Sequence, residues 1–560
     1  MTDSSRRSLI VQSDMSLLLE VDTPGYEEAR NDIAPFAEIV KCPEHVHTYK
    51  ITPLSLWNAA SAGFAAPEVV DRLRRHSRFE VPERIASAVS DLMARYGRVR
   101  LLPLDETRHQ LVFDDERLRR RLTAAEELAG MLDETLGPRE VSVKPLNRGL
   151  LKQAFIRAGY PVQDLAGYKT GEPLEIRLQE DEGAGFTLRP YQAAARDAFY
   201  RGGTPTGGSG VVTLPCGSGK TIVGMAAMAL VRSHTLVLNT SLTAIRQWKR
   251  ELLDKTDLDE LAIGEYSGAA KEIRPVTLTD YQVLSRRRRG ADGGWDFPHF
   301  NELNRRPWGL VIYDEVHLLP ANVFRFTASL QAVRRLGLTA TLVREDGREA
   351  DVFSLIGPKC YDVPWKIVEA QGWIAQAACF EVKVDADEST RVRYESAGPR
   401  DRFRVAAENP AKIPIVRRIV SRHPDEKILI IGQYLDQMKT VAGEFRAPLV
   451  TGETPQAKRD ETYRRFRDGD LGLLVVSSVA NFALDLPDAS VAIQISGKFG
   501  SRQEEAQRLG RILRPKKDGR QASFYTVVSR NTEEEDFAIR RQMFLAEEGY
   551  SYGIFRASEI

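Results

Sequence analysis

The sequence predicts an α/β protein in which two tandem, doubly wound parallel-sheet domains follow a mixed α/β N-terminal region. Three observations predict it. A glycine-rich loop, TLPCGSGKTIVG (213 to 224), closes one apolar run. An acidic pair, Asp314-Glu315, closes another in LVIYDEVHLLP (310 to 320). Apolar runs alternate with helical patterns from about 186 to 368 and begin again beyond 369.

The loop chemistry comes first. Val211 to Thr213 lead in as a strand, and Gly217 and Gly219 let the chain curl so that backbone N–H groups converge on the N-terminus of a helix opening at Lys220. Such a cradle suits phosphates, with Leu214, Pro215, Cys216, Gly217, Ser218 and Gly219 forming its wall. Lys220 supplies a cation to the outer phosphates and the Thr221 hydroxyl a ligand for magnesium. Leu214 stands where the full G-x-x-x-x-G-K-[ST] pattern has its first glycine. On its own, Gly-Lys-Thr can also close an ordinary turn.

The second motif completes the site. Leu310 to Tyr313 reads as a buried parallel strand that delivers Asp314 and Glu315 at its carboxyl end, where open α/β sheets bind ligands. Asp314 suits the magnesium shell, and Glu315 suits the base that polarises an attacking water. His317 in the D-E-x-H tetrad, with Thr339 and Thr341 at the end of RLGLTATLVREDG (335 to 347), is the expected coupling between nucleotide hydrolysis and motion. Upstream, Leu188-Arg189-Pro190-Tyr191-Gln192 opens a helix; Arg189 and Gln192 join the ATP-binding set, the Gln192 amide being suited to an adenine edge.

Composition sets limits. At 560 residues and 42% hydrophobic, the chain can build several cores, about three or four domains on the length prior. No stretch is apolar enough to span a membrane, and MTDSSRRSLIVQSD lacks a signal-peptide core, so a cytoplasmic protein is expected. Four scattered cysteines suggest neither a disulfide framework nor a zinc site. With a net charge of only +1, nucleic acid would have to be held by a local patch. The densest is Arg286 to Arg289, which reads equally as a solvated loop or as a phosphate contact.

Three regions are expected: 1–165 accessory, 166–368 ATP-binding, and 369–560 the second sheet domain. In the first, Thr52-Pro53 caps a helix, Val81-Pro82-Glu83 opens another through Met93, and strands follow near 96–102 and 110–113, a pattern compatible with a winged-helix module. A further small unit is expected from Glu140 to Tyr168, and 179–185 reads as a linker. Strands are expected at LVLNT (236 to 240) and PVTLTDYQ (275 to 282), with a helix at IRQWKREL between them. The second sheet domain should use KILIIG (427 to 432), LGLLVVSS (471 to 478) and SVAIQIS (490 to 496). In EAQRLGRILR (505 to 514), Gln507, Arg508, Arg511 and Arg514 recur at spacings that place several of them on one helical face. This is either a basic face in water or, as favoured here, an arginine-finger helix with Arg511 and Arg514 reaching a γ-phosphate.

The DEVH tetrad, LGLTATLVREDG, LIGPKCYDVPW (355 to 365), NFALDLPDASVAIQISGKFGSRQEEAQRLGRILRPK (481 to 516) and RRQMFLAEEGYSYGI (540 to 554) together resemble XPB-type helicases of superfamily 2, continuously from about 186 to 554. EHVHTYKITPLSLWNAASAG resembles their bacterial form. The resemblance implies RecA-like sheet domains and an ATP- and Mg2+-dependent DNA helicase or translocase moving 3′ to 5′ in DNA repair. It also implies catalytic roles for Lys220, Asp314, Glu315, Gln507, Arg511 and Arg514, an ATP contact at Asp485, and strand separation by the Arg344-Glu345-Asp346 triplet. A thumb-like insertion is expected at 385–412, short for an extensive duplex grip. Ser478 replaces a lysine expected in many relatives. Single-stranded or forked DNA is the expected partner, with strand separation, duplex translocation and an ATP-switched scaffold recruiting a repair nuclease left open. No heptad run is long enough for a coiled coil, and a monomer is expected.

Overall fold

The computed structural model describes residues 7–560 except 43–44, 106–107, 144–147, 167–170, 181–185, 204–206, 290–294, 320–329, 331, 341–351, 353–354, 358, 478–488, 498–504, 506–507, 511 and 513–520. The chain forms two compact units, residues 1–213 with 219–362 and residues 214–218 with 363–560.

The first unit begins with strands β1 (Leu9–Val11), β2 (Ser16–Glu20), β3 (Glu38–Lys41) and β4 (Val46–Lys50), paired antiparallel in the order β1-β2-β4-β3. Helices Tyr26–Ile33, Pro53–Ser61, Ala66–His76 and Glu83–Met93 share one apolar core with this sheet. The Thr52 signal works as read. Its side chain accepts from the Ser55 N–H, and Ser55 returns the bond to the Thr52 N–H, closing a reciprocal cap with Pro53 at the first helical position.

The expected grouping of those helices with the following strand pair differs from what forms. Strands β5 (Val99–Pro103) and β6 (His109–Phe113) join β7 (Leu132–Gly137), β8 (Glu140–Val143) and β9 (Val162–Asp164) in a separate sheet ordered β7-β8-β6-β5-β9, with its own core. The VSV strand therefore pairs back on β6, and the second small module starts near Val99 rather than Glu140. Pairing across thirty residues leaves no trace in local periodicity. Asp164 anchors this module: Arg148, 4% exposed, donates to it at 2.6 Å, and Lys152 lies at 3.2 Å.

Next come β10 (Ser209–Thr213), β11 (Thr235–Asn239), β12 (Ile263–Tyr266), β13 (Val276–Asp280), a short hairpin of β14 (Arg288–Arg289) and β15 (Trp295–Asp296), then β16 (Trp308–Asp314), β17 (Ala332–Thr339) and β18 (Lys359–Asp362). Apart from the hairpin, these strands make one parallel sheet ordered β12-β13-β11-β16-β17-β10-β18. Continuous apolar runs such as WGLVIY in β16 are buried on both faces, as a helix-covered parallel sheet requires. Because β17 lies between β10 and β16, the register sets Thr213 opposite Thr339 and Asp314 opposite Leu338. Two distant motifs thus reach one edge, one strand apart.

The second unit holds another parallel sheet, built from β19 (Ala377–Val384), β20 (Ile428–Gly432), β21 (Leu449–Val450), β22 (Leu473–Ser477), β23 (Val491–Gln494), β24 (Ala522–Ser529) and β25 (Tyr552–Arg556), ordered β21-β22-β20-β23-β24-β19-β25. The segment read as thumb-like contains helices Glu388–Ser396 and Pro399–Ala407. Phe403 is fully buried and meets Phe537 edge-on at 5.1 Å, and Ser529 donates to the Ala406 carbonyl at 2.6 Å, which fastens the second helix to the body of the unit. Lys412, wholly buried, donates to both Glu534 carboxylate oxygens at 2.8 and 2.7 Å and to the Ile495 carbonyl at 3.0 Å.

A lone charge left in such a site cannot be solvated. Lys412→Met is expected to destabilise the second unit by about 3–5 kcal/mol, whereas Lys412→Met with Glu534→Leu should recover most of the loss. Thermal and urea unfolding of the full-length single and double variants checks both.

Candidate active site

Gly217 and Gly219 have φ of +78° and +85°, the left-handed region that a side chain disfavours. The loop braces itself: Ser218 is fully buried and its hydroxyl donates to the Pro215 carbonyl at 2.7 Å. Leu214, in the place of the pattern's first glycine, is also fully buried and does not take a positive φ, so the backbone there makes no demand for glycine. Cys216 is partly exposed.

At Gly219 a second constraint applies. A Cβ there would stand 2.5 Å from the Gln192 Nε2. Gln192 is held in place because its Oε1 accepts the Arg189 N–H at 3.0 Å at the start of the helix Pro190–Tyr200, while the Arg189 guanidinium donates to the Tyr191 hydroxyl at 3.0 Å. The helix Lys220–Val231 opens immediately after Gly219, with Thr221 in its first turn. Its unsatisfied N–H groups and dipole favour an anion at this end.

Opposite, β16 ends at Asp314. Its Oδ2 accepts from the Trp248 Nε1 at 2.9 Å, its Oδ1 from the Glu315 N–H at 3.0 Å, and its backbone carbonyl from the Tyr281 hydroxyl at 2.8 Å. Burial and the neighbouring Glu315 charge push the Asp314 carboxyl up from the ordinary carboxylate range, while the Trp248 bond and Lys220 pull the other way. Glu315 has φ +48° and ψ +53°, a left-handed conformation that costs a non-glycine residue about 1–3 kcal/mol and points to a role for the side chain it aims. Its Oε1 lies 3.2 Å from the Lys220 Nζ and its Oε2 3.5 Å from the His317 Nδ1. That same ring nitrogen is 2.7 Å from the Thr339 hydroxyl, with His317 only 3% exposed.

The first unit thus brings Arg189, Gln192, Gly219, Lys220, Thr221, Asp314, Glu315, His317 and Thr339 to the carboxyl edge of one sheet. Lys220, Glu315, His317 and Thr339 form a continuous polar chain there. Thr341, Arg344, Glu345, Asp346, Ser478, Asp485, Gln507, Arg511 and Arg514 lie outside the described residues. Arg508, one of the four residues in that pattern, is fully buried and bonds the Gln494 side chain rather than facing water.

Two residues escaped the sequence reading. Trp248, 1% exposed, orients Asp314, and Tyr281 holds the backbone below it. Gly224 admits Trp248: a Cβ there would come 2.5 Å from the indole. A buried tryptophan needs a partner for its N–H, and that is the signal IRQWKREL contained.

The chain matches three family models: ERCC3/RAD25/XPB C-terminal helicase over 368–559, type III restriction enzyme res subunit over 185–344, and helicase conserved C-terminal domain over 9–136. It is 52% identical to a "DNA 3′-5′ helicase XPB" of Kineococcus radiotolerans, covering 99% of this chain and 97% of the relative, and 52% identical to one of Mycobacterium tuberculosis, covering 99% and 98%. A "General transcription and DNA repair factor IIH helicase/translocase subunit XPB" of Enterocytozoon bieneusi is 30% identical, covering 97% and 92%.

Gly219→Ala should strain the loop and displace Gln192 together. A loss of about 2–3 kcal/mol, or 30-fold or more in affinity for a fluorescent ATP analogue, is expected from the left-handed backbone and the close contact combined. Equilibrium titration checks it.

Proposed function

The chain belongs to the XPB family of DNA helicases, and from that premise we propose that it is an ATP-dependent 3′–5′ helicase that separates or opens DNA strands in repair. The observation that carries the catalytic reading is the meeting of Lys220, Glu315 and Asp314 beside a glycine loop on a helix N-terminus, with Lys220 3.2 Å from Glu315 and Asp314 its chain neighbour. Lys220 pairs with Glu315, and a γ-phosphate entering the loop competes for Lys220 and releases Glu315 toward a water.

Among the described residues no three His, Cys, Asp or Glu side chains are grouped to hold a metal. The donors at this edge, a threonine hydroxyl and a carboxylate, are hard oxygens that suit magnesium, which keeps waters and takes one or two protein oxygens plus substrate phosphates. Thr221 and Asp314 are the residues that would hold it, and bound there it would neutralise charge on the outer phosphates. Trp248 then fixes the Asp314 rotamer, Glu315 orients the water, and His317 with Thr339 relays the state of Glu315 to the next strand. Arg511 and Arg514 are the proposed fingers, and Arg344, Glu345 and Asp346 the proposed strand separators.

The name of the Enterocytozoon bieneusi relative includes translocase, so duplex translocation is the second reading. Fork unwinding against triplex displacement separates the two, with RNA as a control. Lys220→Ala is expected to reduce DNA-stimulated ATPase at least about 100-fold, the cost of one preorganised charge contact to a transferring group; near-normal turnover would remove Lys220 from the site. Trp248→Phe should raise the magnesium concentration for half-maximal ATPase about 10- to 100-fold, as loss of a partner that orients a metal ligand does, and should lower the melting temperature of the first unit as well, because the buried indole also satisfies Asp314.

A further inference from the structure

Glu505 and Arg508 precede Arg511 by six and three residues, and both are fully buried in the second unit. Three elements converge on the Glu505 carboxylate. Its Oε2 lies 3.6 Å from the Arg541 Nε on the helix Glu533–Glu547, while its Oε1 accepts from the Tyr552 hydroxyl of β25 and the Thr526 hydroxyl of β24, each at 3.4 Å. Burial and the Glu505 charge push the Tyr552 hydroxyl up, which keeps it a donor. One turn on, Arg508 donates to the Gln494 side chain at the end of β23.

Arg541 is itself confined. It is 1% exposed, and a Cβ at Gly497, three residues beyond β23, would stand 3.0 Å from its Cζ and 3.1 Å from its Nε. Its chain neighbour Gln542 donates to Glu381 on β19 at 2.7 Å, and Glu534, earlier in the same helix, holds Lys412. Rolling this helix would break both bonds, so the guanidinium presents a fixed point to Glu505.

Stability alone is a poor reason for such an arrangement. Taking an ion pair out of water is expensive, and apolar residues of similar volume commonly hold a helix as well or better. What the pair adds is direction. A carboxylate held by a guanidinium on one oxygen and by two hydroxyls on the other fixes how the segment is turned about its own axis. Equal steps of three residues lead from Glu505 through Arg508 to Arg511, so a turn at Glu505 carries Arg511 round with it. We propose that Arg541 is a positioning residue for ATP hydrolysis, which acts through Glu505 to hold Arg511 in its working orientation without touching the nucleotide.

The finger role of Arg511 is itself proposed, and the role of Arg541 stands on that reading; Arg511→Ala tests the two separately. DNA-stimulated kcat, KM for ATP, affinity for a fluorescent ATP analogue and thermal unfolding are measured on the full-length protein. The proteins are wild type, Glu505→Gln/Arg541→Met, Arg541→Lys, Arg511→Ala, Glu505→Gln/Arg511→Ala/Arg541→Met, and Gln542→Met, which loses a bond from the same helix to a different partner. Glu505→Gln/Arg541→Met removes both charges, so no lone ion is left buried, and it keeps an acceptor for Tyr552 and Thr526. Its kcat is expected to be about 10- to 100-fold lower, the scale of a misplacement near 1 Å, with KM and analogue affinity within about twofold of wild type and no further loss when it is added to Arg511→Ala. Arg541→Lys keeps the buried charge, which covers the case of a double variant that fails to fold, and its kcat should fall between that of the double variant and wild type. A kcat equal to wild type in either variant, an equal loss in the Arg511→Ala background, or the same loss in Gln542→Met overturns the role of Arg541. Normal turnover by Arg511→Ala removes the finger reading, and this role with it.

Discussion

Everything at the nucleotide edge depends on placing two consecutive carboxylates, Asp314 and Glu315, in a largely buried position and keeping them there. Their repulsion and desolvation oppose folding, and the first unit offsets this with three fixed partners: the Lys220 ammonium at 3.2 Å, the Trp248 indole at 2.9 Å and the Glu315 backbone N–H at 3.0 Å. The left-handed Glu315 aims its carboxylate at Lys220 and His317. The strain is stored where the chemistry needs a carboxylate aimed at a fixed point.

The parallel sheet lets distant stretches of sequence build this edge together. Strand order places β17 between β10 and β16, so residues separated by about a hundred positions meet through one intervening strand, and the Thr339 hydroxyl comes to lie 2.7 Å from the His317 ring. Gly219 and Gly224 serve the same end from the helix side. One leaves room for Gln192 against the loop, and the other leaves room for Trp248 to reach Asp314.

Local features were legible in the sequence because their causes are local. The Thr52 cap, the helix opening at Glu83, and the strands ending at Thr213 and Asp314 each follow from a few adjacent residues. What escaped was set by pairing at a distance. Short β12 and β18 carry no apolar run of their own that marks a strand, and gain their place from β13 and β10. The strands at Glu140–Val143 and β6 were both visible, but their pairing with each other was not. Arg508 reads as part of a basic face because periodicity says which residues share a side of a helix, not whether that side is buried against Gln494. Trp248 and Tyr281 became site residues only once β16 supplied the carboxylate and carbonyl they bond.

The most direct test of the central claim is ATP binding and turnover by Glu315→Gln in the presence of magnesium and 3′-tailed DNA. If Glu315 orients the water and otherwise only balances Lys220, the variant binds ATP at least as tightly as wild type while turnover falls by about 10²–10⁴, the range for removing a general base. Turnover close to wild type, or loss of binding with the residual bound nucleotide hydrolysed at the normal rate, would contradict the account.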